Sequence, residues 1–241
     1  MSSIEFKIDK WLALSPGLLN IEQWHDWSSS LMQWPSQLTP VPISLIKPMM
    51  RRRMSSLSKI AVQAALQLSA QEQVDYIVFA SRHGELTRTV KLLEDIIKGD
   101  DASPLAFSQS VHNIAAGLFT ICSGRATPVT SIAAVESSLH HGLIEASVYL
   151  QENPTHKVLL VDFDESLPEP YCCYEQKVHP GYAFAAILSF GSQFQLSWSK
   201  NKDDAGFSSQ QSLCVIDYLL KNTRKVLISD PRLVWEWSRN R

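Results

Sequence analysis

The chain has no charge of one sign to spare. Its 22 basic and 24 acidic side chains leave a formal net charge of −2, so no global field draws it to nucleic acid or to a membrane surface. It lacks a run of about 18 apolar residues, which excludes a membrane-spanning helix. Residues 1–10 mix charged and apolar side chains and do not read as a secretory signal. Cysteine is sparse: Cys122, Cys172, Cys173 and Cys214 have neither disulfide-framework nor zinc-ligand spacing. That leaves a reducing cytoplasm as the expected compartment, with no metal and no other cofactor called for. Repeats, low-complexity tracts and evident linkers are missing as well.

What the chain does have is tryptophan. There are seven, and Trp11, Trp24, Trp27 and Trp34 fall near its start. The same region holds Pro16, Pro35, Pro40, Pro42 and Pro48, so residues 15–54 admit only short elements, such as one helix over 24–34. A Trp-, Pro- and Leu-rich segment of this kind reads as irregular cover over a core rather than as a ligand platform. With 241 residues a sizeable core is within reach. We expect a single unit over 1–241, with 1–54 as an N-terminal strand plus cover and 191–241 as a C-terminal extension.

Periodicity supplies the elements. Residues 4–14 open with a period-two pattern, a strand. Leu57, Ile60, Ala61, Ala64 and Leu68 mark one helix face, and Leu86, Val90, Leu93 and Ile97 another. Residues 110–122 predict a third helix and 137–151 a fourth. The apolar runs 76–80, 129–134 and 157–163 predict buried strands. Residues 182–190 and 193–199 suggest a hairpin turning at Gly191-Ser192, followed by a helix over 210–221 and a strand at 226–228. Asp230-Pro231 is a helix-start signal for 233–239. The alternation gives an α/β fold with a mixed, predominantly parallel sheet and helices on both faces.

Four stretches, in order, carry a resemblance. They are Arg52-Arg53-Met54-Ser55 entering a helix; Ser103-Pro104 with Phe107-Ser108, Ser110-Val111-His112-Asn113 and Ala115-Ala116-Gly117; residues 128–138; and Lys157-Val158-Leu159-Leu160-Val161-Asp162, with Pro180-Gly181-Tyr182 opening the strand beyond. Together they resemble the N-terminal half of a β-ketoacyl synthase of the thiolase fold, over roughly residues 50–190. The stretch Phe79-Ala80-Ser81-Arg82-His83-Gly84-Glu85 with Ser110-Val111-His112-Asn113 is similar to the short chain-length factors of bacterial aryl-polyene (type II polyketide) pathways.

The departures from the family matter as much. The resemblance places the nucleophilic cysteine eight residues after Pro128, and that residue is Glu136. Acyl transfer in this family needs a thiolate, helped by the helix end that follows it. A carboxylate cannot form the thioester, although the same helix end favours its charge by about 0.3–1 kcal/mol. Neither of the family's two catalytic histidine loops, which are glycine-rich, has a match after Leu188. His179 is the last histidine, and the chain has only nine glycines. The resemblance therefore implies a non-catalytic subunit that pairs with an active β-ketoacyl synthase, as a heterodimer or heterotetramer, and helps shape its acyl-chain tunnel. By the same resemblance the partner interface and tunnel wall would take in Phe107, Ser110, Val111, His112, Asn113, Ala116, Val129, Ser131, Ala133 and Glu136. Arg51, Arg52 and Arg53 could dock an acidic acyl carrier protein, or form a solvated charge run.

Two rival readings stay open. One is an enzyme in which Glu136 serves as acid or base in decarboxylating or hydrolysing a carrier-bound acyl group. The other is a stand-alone carrier-binding module. His83 and His112 read better as hydrogen-bonding members of packed turns than as a base pair. His140 and His141 point to different faces of one helix and make poor joint metal ligands. Cys172 and Cys173 with His179 lack a helix end to activate a thiol.

Overall fold

The computed structural model describes residues 2–175, 177–202 and 210–240. Strand β1 (Ser2–Leu14) buries Ile4, Phe6 and Ile8 and turns Ser3, Glu5 and Lys7 outward, as its period-two pattern requires. Helix α1 (Ile21–Ser29) starts on Asn20, whose side chain accepts from the Gln23 N–H. Only α2 (Pro48–Arg51) interrupts the proline-rich stretch that follows. The indoles of Trp24 and Trp27 are almost fully buried and meet edge to face at 5.0 Å. Trp24 Nε1 donates to the Ala13 carbonyl at 2.9 Å, and Trp34 Nε1 to Ser15 Oγ at 2.9 Å. The early tryptophans thus seal the core.

Helix α3 (Ser56–Ser69) is capped by Ser55, whose hydroxyl accepts from the Ser58 N–H at 2.8 Å. Strand β2 (Tyr76–Ala80), α4 (Leu86–Ile97), the five-residue α5 (Pro104–Ser108) and α6 (Ile114–Ser123) follow. Then come β3 (Val129–Ile132), α7 (Ser138–Glu152), β4 (Lys157–Asp164), a 3₁₀ turn at Tyr171–Tyr174, β5 (Tyr182–Lys200), α8 (Gln211–Lys221), β6 (Lys225–Ser229) and β7 (Leu233–Arg239).

The strands form one seven-stranded sheet in the order β3-β2-β4-β5-β7-β6, with β1 paired to β5. The fold is the expected mixed α/β arrangement, but the balance differs from the predominantly parallel one. Only β2 with β3 and β2 with β4 are parallel, whereas β4–β5, β1–β5, β5–β7 and β6–β7 are antiparallel. Apolar runs report burial on both faces and carry no strand direction, which is why the sequence pattern missed this.

Alternate residues of β4 feed two cores. Val158 and Leu160 join α7, α8 and the tryptophans on one face, and Leu159, Val161 and Phe163 join α3 and α6 on the other. Among the described residues no helix is long and apolar enough to cross a membrane.

Two local expectations are corrected. Residues 182–199 are not a hairpin but part of the 19-residue β5. Pairing with β1 jumps from Phe6↔Phe194 to Lys7↔Ser189, so residues 190–193 form a wide bulge in a continuing strand. Gln193 Oε1 reaches back to accept from the Ile8 N–H at 3.1 Å. Residues 233–239 are strand β7, not a helix. Trp235 and Trp237 are fully buried at period two. Asp230 accepts from the N–H groups of Arg232 and Leu233 at 2.7 and 2.8 Å, so its capping chemistry builds the β6–β7 turn instead of a helix start.

Candidate functional site

Glu136 lies at a strand-to-helix corner between β3 and α7. Val135 occupies the left-handed region with φ 53°, a costly conformation for a β-branched residue. Hydrogen bonds over-determine it: Ser138 Oγ donates to the Val135 carbonyl at 2.8 Å and accepts from the Ala134 N–H at 2.9 Å, and the Ser137 N–H donates to the Ala134 carbonyl at 3.0 Å. The corner holds the half-buried Glu136 between two clefts of about 310 and 360 Å³. One is walled by His141, Arg232 and Leu233, the other by Arg82, His83, Leu86 and the two tyrosines Tyr171 and Tyr174. Among the described residues no hydrogen bond or ion pair engages the Glu136 carboxylate, and no cysteine stands at the corner.

Behind the corner is a buried polar network that sequence reasoning missed. Ser137 Oγ donates to Asp230 Oδ2 and accepts from Trp235 Nε1 at 2.9 Å. His140 stacks on Trp235 with ring centroids 4.5 Å apart. Its Nε2 accepts from Trp237 Nε1 at 3.0 Å, so its proton sits on Nδ1, directed at Gln211 Oε1. Burial pushes the imidazole down to about 3. The period-two tryptophans at 235 and 237 were the signal that this tail segment packs as a strand.

The expected interface residues gather beside β3, which ends the sheet. His112, Asn113, Ala116, Val129 and Ser131 line one open groove of about 510 Å³ with Gly117 and Thr130. Val129 is 37% exposed, and the nearby Phe107 and Val111 are 63% and 38% exposed. Ser110 is half-buried and donates to the Phe107 carbonyl at 2.9 Å, and Ala133 is exposed at the approach to the corner. The expected helix over 110–122 begins only at Ile114. Residues 110–113 form a turn pinned by His112, whose Nε2 lies 2.9 Å from the Ser81 carbonyl. Gly84, at φ 56°, makes room for this ring, since a Cβ there would come within 2.9 Å of His112 Cδ2.

The arginine run lies apart from this groove, at the end of α2. Arg51 Nε is committed to the Ile46 carbonyl at 2.6 Å, while Arg52 and Arg53 are exposed. Cys172 and Cys173 are exposed on the 3₁₀ turn, and the Cys172 thiol donates to Glu169 at 2.7 Å, a bond to a carboxylate that holds its pKa above the usual thiol value. His179 is buried, and its Nδ1 accepts from the Gly181 N–H at 3.3 Å. The described residues therefore hold no Cys–His nucleophile pair. His141 contacts the Ser137 carbonyl through Nδ1 at 3.0 Å, and no metal-binding cluster occurs among the described residues.

The family model for the β-ketoacyl synthase N-terminal domain matches residues 24–238. Among solved structures, the chain is 30% identical to a chain of the ketosynthase (ApeO) in complex with its chain length factor (ApeC) from Xenorhabdus doucetiae. That match has a TM-score of 0.88 and covers 98% of this chain and 100% of that one. It also resembles the ishigamide ketosynthase/chain length factor (14% identity, TM-score 0.64, 85% of this chain and 69% of that one). A third match is AntDE:AntF, a type II polyketide-synthase acyl-carrier protein in complex with its ketosynthase bound to the hexaketide (11% identity, TM-score 0.66, 99% and 100% covered). The latter two likenesses establish the fold alone. Among curated proteins no match is found.

Proposed function

The chain belongs to the β-ketoacyl synthase family, and we propose that it serves there as a non-catalytic chain-length factor, pairing with an active ketosynthase and forming part of the wall of its acyl tunnel. One observation carries this reading. The sheet ends in the strand β3, flanked by an open groove of small, polar and apolar side chains, right beside a nucleophile corner occupied by Glu136. An unpaired strand edge with exposed apolar neighbours calls for a partner, and an obligate interface of this kind buries about 2,000 Å² or more. The full-length coverage of a chain in the X. doucetiae ketosynthase–chain length factor complex supports the same role. In that role the product is a type II polyketide, of aryl-polyene type by the sequence motifs, made in the cytoplasm. Arg52 and Arg53, both exposed, then suit a docking contact with an acyl carrier protein.

The test is co-expression with the ketosynthase of the same pathway, followed by the mass of the purified complex. Stable heterodimers or heterotetramers are expected. A chain that stays monomeric at tens of micromolar in the presence of that ketosynthase overturns the proposal.

A second reading has one observation in its favour, the carboxylate of Glu136, uncommitted among the described residues, between two clefts. It makes Glu136 the acid or base of a decarboxylase or hydrolase acting on carrier-bound acyl groups. Glu136→Ala separates the two. Unchanged pathway output with an intact complex supports the chain-length factor, and loss of output with an intact complex supports the enzyme.

A further inference from the structure

Asp162 and Asp164 are two residues apart on one face of β4, about 7 Å along the strand, and both are buried, at 1% and 5% exposure. Among the described residues Asp162 is held by hydroxyls alone. Tyr182 of β5 donates to its Oδ2 at 3.2 Å, and Ser212, in the first turn of α8, donates to the same oxygen. Asp164 accepts from Ser81 Oγ at 2.9 Å and from the Arg82 N–H at 3.0 Å. The pair therefore bridges the loop at the candidate site to the helix that packs beside the C-terminal hairpin.

The charge count around the pair does not balance. From the loop after β2 come Arg82 and the exposed His83, from β5 Tyr182, and from the connection before β5 Glu175 and His179. Helix α7 contributes His140, which is committed to Gln211 and Trp237. Among the described residues the guanidinium at hand is that of Arg82, already paired with Glu175 at 3.3 Å. His179 is buried and, sealed from water, stays neutral until about pH 4. Among the described residues three carboxylates thus share one cation in a dry environment, where burial disfavours two neighbouring anions. With both hydroxyls on Oδ2, Oδ1 of Asp162 is the place left for a proton.

We propose that Asp162 and Asp164 hold a single proton between them and form a pH-sensitive latch that joins the 81–85 loop to α8. With the proton in place, Ser212 and Tyr182 close over a neutral acid. When it leaves at mildly alkaline pH, two buried anions stand on one face of β4, and the cost of keeping both from water exceeds what the Ser212 and Tyr182 hydroxyls return, so α8 opens at its Ser212 end to admit water. This is independent of the partner-subunit role and holds for the chain alone or in complex.

The experiment is amide hydrogen exchange of residues 211–221 on the full chain at pH 6 and pH 9, corrected for intrinsic base catalysis, together with a ¹³C-carboxyl titration of its aspartates. Corrected protection of α8 is expected to fall about tenfold or more over this range, the change that follows from shifting one proton equilibrium by a unit or more. Asp162→Asn and Asp164→Asn should each flatten the dependence, because either leaves a single acid. The titration should show one aspartate still protonated above pH 6. Corrected protection that is independent of pH in the wild type, or a pH dependence surviving in both variants, overturns the latch. So does a titration in which every aspartate is ionised by pH 5, and that measurement needs no variant to fold.

Discussion

Ser137 and Asp230, 93 positions apart in the chain, are joined by a buried hydrogen bond from the serine hydroxyl to the carboxylate. The bond pins the residue after Glu136 to the turn of the β6–β7 hairpin, so the corner and the tail are one unit. Asp230→Ala removes the acceptor for Ser137 and Trp235 and unties the turn at Arg232 and Leu233. The expected cost is about 2–4 kcal/mol, since several buried donors lose a charged acceptor at once. Urea unfolding of the variant measures it, and a change under 0.5 kcal/mol would remove the bond from any structural role.

The β3 edge predicts a mutation that spares folding and destroys assembly. Val129 is 37% exposed at the open end of the sheet. Val129→Asp places a charge in the proposed contact and should weaken ketosynthase binding about 100-fold, or roughly 3 kcal/mol. The unfolding midpoint of the isolated chain should not move. Equal binding by wild type and variant in a titration would place the contact elsewhere.

Gly84 tests the turn that anchors His112. Gly84→Ala puts a methyl within 2.9 Å of the imidazole at a residue with φ 56°. A loss of about 1–3 kcal/mol is expected from the combined strain and displacement. The imidazole resonances of His112 should shift, because the ring must leave the Ser81 carbonyl. An unshifted His112 spectrum would show that the loop relaxes without it.

His140 gives an acid limit to stability. Burial holds its folded pKa down to about 3 against an ordinary value of 6.5. Between those values the unfolded chain binds a proton that the folded chain refuses, so this contribution is fully present above pH 6.5 and is lost progressively as pH falls towards 3. His179, held down to about 4 by burial, adds in the same direction. The buried aspartate pair acts oppositely. Its raised folded pKa values make stability fall as pH rises above the unfolded carboxylate range. Above pH 6.5 the histidine effects are exhausted and the aspartate effect continues, so stability should decline on the alkaline side. Denaturant midpoints from pH 4 to 9 check this, and His140→Leu should flatten the acid side at the expense of the His140 contacts to Trp237 Nε1 and Gln211 Oε1.

Much of this was readable in the sequence where local chemistry and burial agree. The period-two start of β1, the capped helix after Ser55 and the corner eight residues after Pro128 follow from residue pattern or resemblance, because nothing distant opposes them. The β6–β7 tail was not readable from its Asp-Pro signal. Asp230 offers the same carboxylate to a helix start and to a turn, and only the long-range pairing of Trp235 with Trp198 and Ile228 decides between them. Direction of pairing in the sheet was hidden for the same reason. His140 was legible only as one of two histidines on different faces of a helix, and its role emerges only when Gln211 and Trp237 arrive from the tail.

Strand β5 has a further bearing on how such a chain can be cut or shortened. Its first half pairs with β4 and its second half with β7, while β1 runs along both. A chain ended before the bulge at 190–193 would deprive Ile4 and Phe6 of their opposite strand and remove Phe194 and Trp237, the rings on which Phe6 packs. The tail is therefore woven into the sheet, and an engineered truncation that removes β7 strips the second half of β5 of a neighbouring strand.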